Sequence, residues 1–192
     1  MYVYRKATIE DIPLLVQFRV NLLHSAIGDG EATRWEHVKE QLVNYYEQTL
    51  PQESHIAYLA YDGSRCVGTG GVCFYRVLPT YVKPTGQKAY IINMYTDPEY
   101  RRRGIAMKIL DKLVNASLRK GVRYISLEAT TMGRPLYEKY GFGMLKSEMQ
   151  YMNETYEGWS RWFRFSNTLF NSQDLYLFAS VRFHPLIYQK NS

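Results

Sequence analysis

The chain predicts an α/β (α+β) fold, and three observations carry that expectation. Apolar residues recur at helical spacing in four separate segments, counting a short one near the end. Between them lie five short runs rich in β-branched and aromatic residues, which read as strands. Two of those runs are joined around Asp62-Gly63, a hairpin signal, so part of the sheet is antiparallel.

Taken in order, Tyr2 to Lys6 alternates as a first strand. Thr8 with Asp11 reads as a capping box that opens a helix through Ile12, Leu15, Phe18 and Leu22. His24 to Ala32 contains Gly28 and Gly30, a break. Thr33 and Glu36 read as a second capping box, before a helix with Trp35, Val38, Leu42 and Tyr46 on one face and a stop near Pro51. HIAYLAY and CVGTGGVCFY form the hairpin, and after a loop with Pro79, Pro84 and Gly86 comes the strand AYIINMYT. The next helix carries Ile105, Ile109, Leu113 and Ala116 on one stripe and ends at Gly121. YISLE reads as a short buried strand, and GRPLYEKYGF as a short helix with Pro135 in its first turn and Gly141 past its end. Residues 143–153 can add a final strand or a tight hairpin.

From Glu154 the character changes: ten of the last 39 residues are aromatic, without a clear period. That is too apolar for a typical disordered tail. The expected division is therefore a domain over 1–153 and an aromatic-rich appendage over 154–192 that packs on the core or on a second copy of the chain. A homodimer stays open as a partner on that ground.

At 192 residues the chain suffices for one well-buried core and is short for two. No run approaches the roughly 18 apolar residues of a membrane span, so no membrane partner is expected. The start, MYVYRKATIEDI, lacks the apolar stretch of a signal peptide. Cys66 and Cys73 are an odd number apart on one strand, which puts them on opposite faces and argues against a disulfide; a cytoplasmic location fits. The four histidines have no metal-ligand spacing, so no metal is expected. The net charge of +6 allows an anionic partner, and much of its local density sits in one place.

That place is DPEYRRRGIAMKIL, residues 97–110, three arginines at the foot of a helix. A helix N-terminus already carries partial positive charge, so stacked cations there make sense if an anion is to be bound. Gly104 lets the backbone approach a ligand closely. The bland alternative is a solvated basic turn. Nucleic acid is not expected as the partner, because basic residues are not spread over a face with stacking aromatics. Gly68-Thr69-Gly70-Gly71 hints at a dinucleotide loop, but Cys73 replaces its third glycine and the run lies inside a strand; a bulge or a close backbone contact is the expected reading.

Arg101-Arg102-Arg103-Gly104-Ile105-Ala106 matches the (Q/R)-x-x-G-x-(G/A) signature of the GNAT superfamily of N-acetyltransferases, and Pro98-Glu99-Tyr100 resembles its lead-in. About thirty residues later, Leu136-Tyr137-Glu138-Lys139-Tyr140-Gly141-Phe142 resembles the L-Y-x-x-x-G-F motif. The likeness covers residues 2 to about 153. It implies a mixed, mostly antiparallel central sheet with splayed middle strands and helices on both faces. It also implies acetyl-CoA as co-substrate, an amine of a small molecule or peptide as acceptor, and direct attack without an acyl-enzyme. Carried over, Arg101, Arg102, Arg103, Gly104, Ile105 and Ala106 form the pyrophosphate turn, and Met94, Tyr95 and Thr96 pair with the pantetheine amides. Tyr137 stands near the thioester sulfur. Thr130 occupies the place where the family often has Asn, and Gly133 is the small residue three positions on.

Amine acetylation needs a neutral amine, a stabilised carbonyl oxygen and a departing thiolate. Backbone N–H groups of the strand before the turn are expected to serve the oxygen. Tyr137 is expected to hydrogen-bond or protonate the departing sulfur. Glu128, on the YISLE strand, is the candidate base, with an ion pair to a nearby arginine or a substrate-positioning role as the favoured alternative. His24 and Glu31 are weaker candidates for the acceptor pocket, with Asn93 and Tyr95 lining it. Cys73 is expected in the core rather than as a nucleophile. The alternative is an acyl-CoA-binding module that regulates rather than catalyses, motivated by Thr130 and the lack of an obvious base.

Overall fold

The computed structural model describes residues 1–27 and 32–145. It divides at Leu127 into two units, and the described part of the second begins with Glu128. The expected appendage over 154–192, Glu31, and all but the first residues of the expected 143–153 strand lie outside the described residues.

The first unit is built on a five-stranded sheet in the order β1 (Val3–Lys6), β2 (His55–Asp62), β3 (Arg65–Arg76), β4 (Gln87–Thr96), β5 (Ile125–Leu127). β1 through β4 pair antiparallel, and β5 alone runs parallel to β4. The hairpin at Asp62-Gly63 is present, with Gly63 at φ 57°, a left-handed conformation that glycine adopts without strain.

Helices α1 (Ile12–Ile27) and α2 (Ala32–Thr49) pack together, and α1 reaches β4. Their entry is fixed as the sequence predicts: the Thr8 N–H donates to the Asp11 carboxylate at 2.8 Å, and Arg5 forks onto the same group at 2.7 and 2.6 Å. Leu15, Val16 and Val20 of α1 join Trp35 and Tyr46 of α2 and Leu59 of β2 in one buried cluster. Thr33 is a correction: α2 begins at Ala32, so Thr33 lies inside its first turn rather than before it.

The other face of the sheet takes α3 (Ile105–Arg119), whose Ile105, Ile109, Leu110 and Leu113 are fully buried. Glycines make that contact close. A Cβ at Gly70 would lie 2.7 Å from Ile109 Cγ2, and one at Gly68 3.2 Å from Ile105 Cγ2. The Gly68–Gly71 run is thus a strand with close helix approach and a bulge, as the sequence reading expects. The mixed sheet covered on both faces agrees with the expected fold class.

Two local expectations shift. β5 ends at Leu127, so Glu128 follows the strand instead of lying on it, and the strand is half-buried, pairing with β4 over three residues among the described residues. In the second unit, α4 (Arg134–Tyr140) has Pro135 in its first turn and stops at Gly141, φ 112°. No helix among the described residues is long and apolar enough to cross a membrane.

Candidate functional site

β4 carries an irregularity just before the basic turn. Thr69 pairs with Tyr95 and Gly71 with Ile92, so Asn93 and Met94 together oppose Gly70 alone, a bulge. Asn93 has φ 57°, which asparagine tolerates better than most residues. On its other side β4 loses β5 after the Ile91–Leu127 pair, and residues 92–96 have no strand partner there among the described residues. Asn93 Oδ1 and Thr96 Oγ1 are buried without a hydrogen-bond partner among the described residues. Buried polar atoms are seldom left this way unless a ligand or water completes them. Met94 points to the α3 face beside Gly70 and Ile109, while the Tyr95 ring packs tilted against Phe18 of α1, centroids 5.3 Å apart.

The turn itself is braced from below. Asp97 accepts the Glu99 N–H at 3.1 Å, and Arg65 grips Asp97 at 2.8 Å and Glu99 at 3.1 Å. The three arginines then divide their labour. Arg101 Nε donates to the Thr96 carbonyl at 3.3 Å, and Arg103 donates to the Glu99 carbonyl at 2.9 Å while lying 5.0 Å over the Tyr100 ring. Arg102, exposed and at φ 63°, has no side-chain partner among the described residues. Gly104 follows at φ 79°, and among the described residues no side chain caps the first turn of α3. A Cβ on Gly104 would stand in open space. Left-handed backbone next to a bare helix N-terminus turns several N–H groups toward one concavity, a nest for an anion.

In the second unit, Thr130 Oγ1 accepts the Gly133 N–H at 2.8 Å, and its carbonyl takes the Arg134 N–H at 2.8 Å. Thr130 therefore holds the start of α4. A Cβ on Gly133 would lie 3.1 Å from Thr130 Oγ1 and 3.3 Å from Tyr137 Cε2, so a side chain there would crowd both. Tyr137 is 8% exposed, its ring edge-on to Phe142, and burial pushes its hydroxyl up to about 12. That hydroxyl makes no hydrogen bond among the described residues. Glu128 is exposed, and His24 stacks on Trp35 at 4.0 Å.

The model of the acetyltransferase (GNAT) family matches residues 23–142. The chain belongs to the GNAT family. A predicted acetyltransferase from Clostridium acetobutylicum, solved with acetyl-CoA, is 33% identical with a TM-score of 0.72, over 79% of this chain and 96% of that one. The thialysine N-epsilon-acetyltransferase of Sus scrofa is 31% identical over 105 residues, 48% of this chain and 59% of that protein. The uncharacterized N-acetyltransferase YafP of Escherichia coli (strain K12) is 34% identical over 59 residues, 31% of this chain and 36% of that protein. The matches thus span less than two thirds of both these relatives.

The residues present fit acetyl-CoA, the ligand in the Clostridium structure. An anion suits the open, uncapped N-terminus of this GNAT chain's α3, and an amide-bearing arm suits the unpaired edge of β4 with its two orphaned side-chain oxygens. Among the described residues no group of three His, Cys, Asp or Glu could hold a metal ion. The motifs announced the turn and Tyr137. They did not announce Arg65 as its brace, which lies over thirty residues away in sequence, nor the left-handed Asn93.

Proposed function

We propose that this chain transfers acetyl from acetyl-CoA to a primary amine by direct attack with both substrates bound. The observation that carries the reading is the bare, left-handed entry to α3 at Arg102 and Gly104, directly following a strand edge with no strand partner among the described residues. Family membership and the amine substrate in the name of the pig relative support it.

Acetyl-CoA brings an activated thioester to the site. The chain's own residues do the rest. Main-chain N–H groups from Arg102 to Ala106 hold the pyrophosphate, with Arg102 free to add a charge-assisted contact. Met94 to Thr96 offer their backbone to the pantetheine amides. The bulge at Asn93 releases a main-chain N–H from the β3 ladder, and that donor is aimed at the carbonyl oxygen as charge develops on it. Glu128 takes a proton from the incoming ammonium, directly or through water. Tyr137, with its hydroxyl pushed up to about 12, stays protonated at neutral pH. It is a weaker acid than a free thiol, near 8.5, so its part is a hydrogen bond that steadies the departing thiolate. A silent acyl-CoA-binding module is the second reading, favoured by Thr130, whose hydroxyl oxygen is already engaged by Gly133.

Gly104→Asp tests the cradle. A carboxylate placed before the helix would oppose the pyrophosphate at a cost of several kcal/mol, so acetyl-CoA affinity should fall by about 100-fold or more. Gly104→Asn, neutral and of the same shape, should lose far less. Calorimetric titration of the three proteins reads this, and unchanged affinity in Gly104→Asp would show the cradle to be misplaced.

A further inference from the structure

Helix α1 carries an arginine that nothing among the described residues neutralises. Arg19 follows Phe18, which packs on Tyr95 of β4, and stands one turn beyond Leu15, which is fully buried. It is half-buried, and burial holds its guanidinium below the ordinary arginine value. The largest fields on it come from Tyr46, Cys73, Tyr90 and Tyr45, none of them a carboxylate. Tyr45, Tyr46 and Cys73 are neutral at pH 7. Burial raises Tyr45 and Cys73 and pushes Tyr46 up to about 12, and it pushes the adjoining His55 down to about 4.

The contrast with the other gripped arginines is sharp. Arg5 sits on Asp11 and Arg65 on Asp97 and Glu99, whereas Arg19 has neither ion pair nor hydrogen bond among the described residues. Its nitrogens are not sealed off, since none is among the fully buried atoms that lack a partner. A cation drawn partly out of water without a counter-charge costs the fold stability, so a packing role does not account for it. Its surroundings include Tyr90 of β4, which pairs with Cys73 three residues or about 10 Å along the strand from the bulge at Asn93.

The geometry points to Arg19 as the grip for a carboxylate on the acceptor, which makes the acceptor an amine that also bears a carboxylate, an amino acid. This rests on the acetyl-transfer reading above. One guanidinium matches one carboxylate in charge and in its two-pronged shape. A phosphate dianion would leave charge unmatched, with no second cation among those side chains. The spacing from Tyr90 to the bulge suits several methylenes between amine and carboxylate.

The test pairs L-lysine with 1,5-diaminopentane and 6-aminohexanoate with hexylamine, each pair differing by the carboxylate. Binding to the full chain is measured by calorimetry, and CoA release is measured with acetyl-CoA present. The wild type should bind the carboxylated member of each pair about tenfold or more tightly, and Arg19→Gln should erase that preference with acetyl-CoA affinity intact. Arg19→Met should melt no lower than the wild type, because it removes an uncompensated charge; a packing role would lower it. Equal binding within both pairs in the wild type, or a preference that survives in Arg19→Gln, overturns the assignment. The two readings fail differently. Carboxylated amines that bind without CoA release defeat acetyl transfer, and CoA release without carboxylate preference defeats the role of Arg19.

Discussion

Tyr137 has a buried ring and a hydroxyl with no hydrogen-bond partner among the described residues. That pairing separates a packing role from a chemical one. Tyr137→Phe keeps the ring against Phe142 and removes only the oxygen. If the hydroxyl steadies the departing thiolate, kcat should fall by about 10²- to 10³-fold, the usual cost of losing one donor to developing charge. The contact strengthens only as charge builds, so acetyl-CoA Kd and Tm should hold. A lower Tm with an unchanged rate per folded molecule would make Tyr137 structural. Single residues were also where the sequence misled most. Leu15, Phe18 and Leu22 define the inner stripe of α1, and Arg19, four after Leu15 and three before Leu22, shares that face; its place there marks it out. The arginines of the turn looked equivalent in sequence, yet two are spent on carbonyls of the turn and only Arg102 is left without a partner among the described residues.

At the junction of α2 with the sheet, Tyr45 lies 3.1 Å from His55 Nδ1 and 3.0 Å from Cys73 Sγ, and His55 lies 3.2 Å from the same sulfur. Tyr46 meets His55 edge-on at 5.3 Å. Cys73 is thus a packing group, as its sequence context implies, and burial raises its thiol. His55 is held neutral inside this junction, at about 4 in the fold against 6.5 unfolded. Between those values the unfolded chain binds the extra proton. Stability is therefore full above about 6.5 and is lost as pH falls toward 4, by on the order of 3 kcal/mol. Asp11, held below the usual carboxylate range by Arg5, is lost only at still lower pH, so the two windows separate. Urea melts from pH 7 to 4 should show this fall in the wild type and a flatter profile in His55→Leu; equal slopes in both would remove His55 from the acid response. The elements at this junction were legible from period alone, with Trp35 and Tyr46 buried as the spacing of α2 demands. Its start was not: Thr33 and Glu36 satisfy the capping pattern, yet Ala32 is already helical, so the pattern falls inside the helix instead of before it.

For the molecule as a whole, the strands and helices could be read from the sequence because apolar period and turn residues agree along the chain. The order of the sheet and the loss of β5 beyond Ile91 could not be read that way, because they depend on register. Register here turns on one left-handed asparagine and on two glycines that admit Ile105 and Ile109 to the sheet. The resemblance to a known family supplied what period could not, and residues 23–142 match that family. The central claim is acetyl transfer from acetyl-CoA to an amine. It is met most directly by incubating the full chain with acetyl-CoA and a panel of primary amines, and following CoA release and acetylated product by mass spectrometry. Amine-dependent release matched by an equal amount of acetylated amine, abolished in Gly104→Asp, is the result expected. Acetyl-CoA that binds at the micromolar level yet is never turned over with any amine would contradict it and leave a binding module.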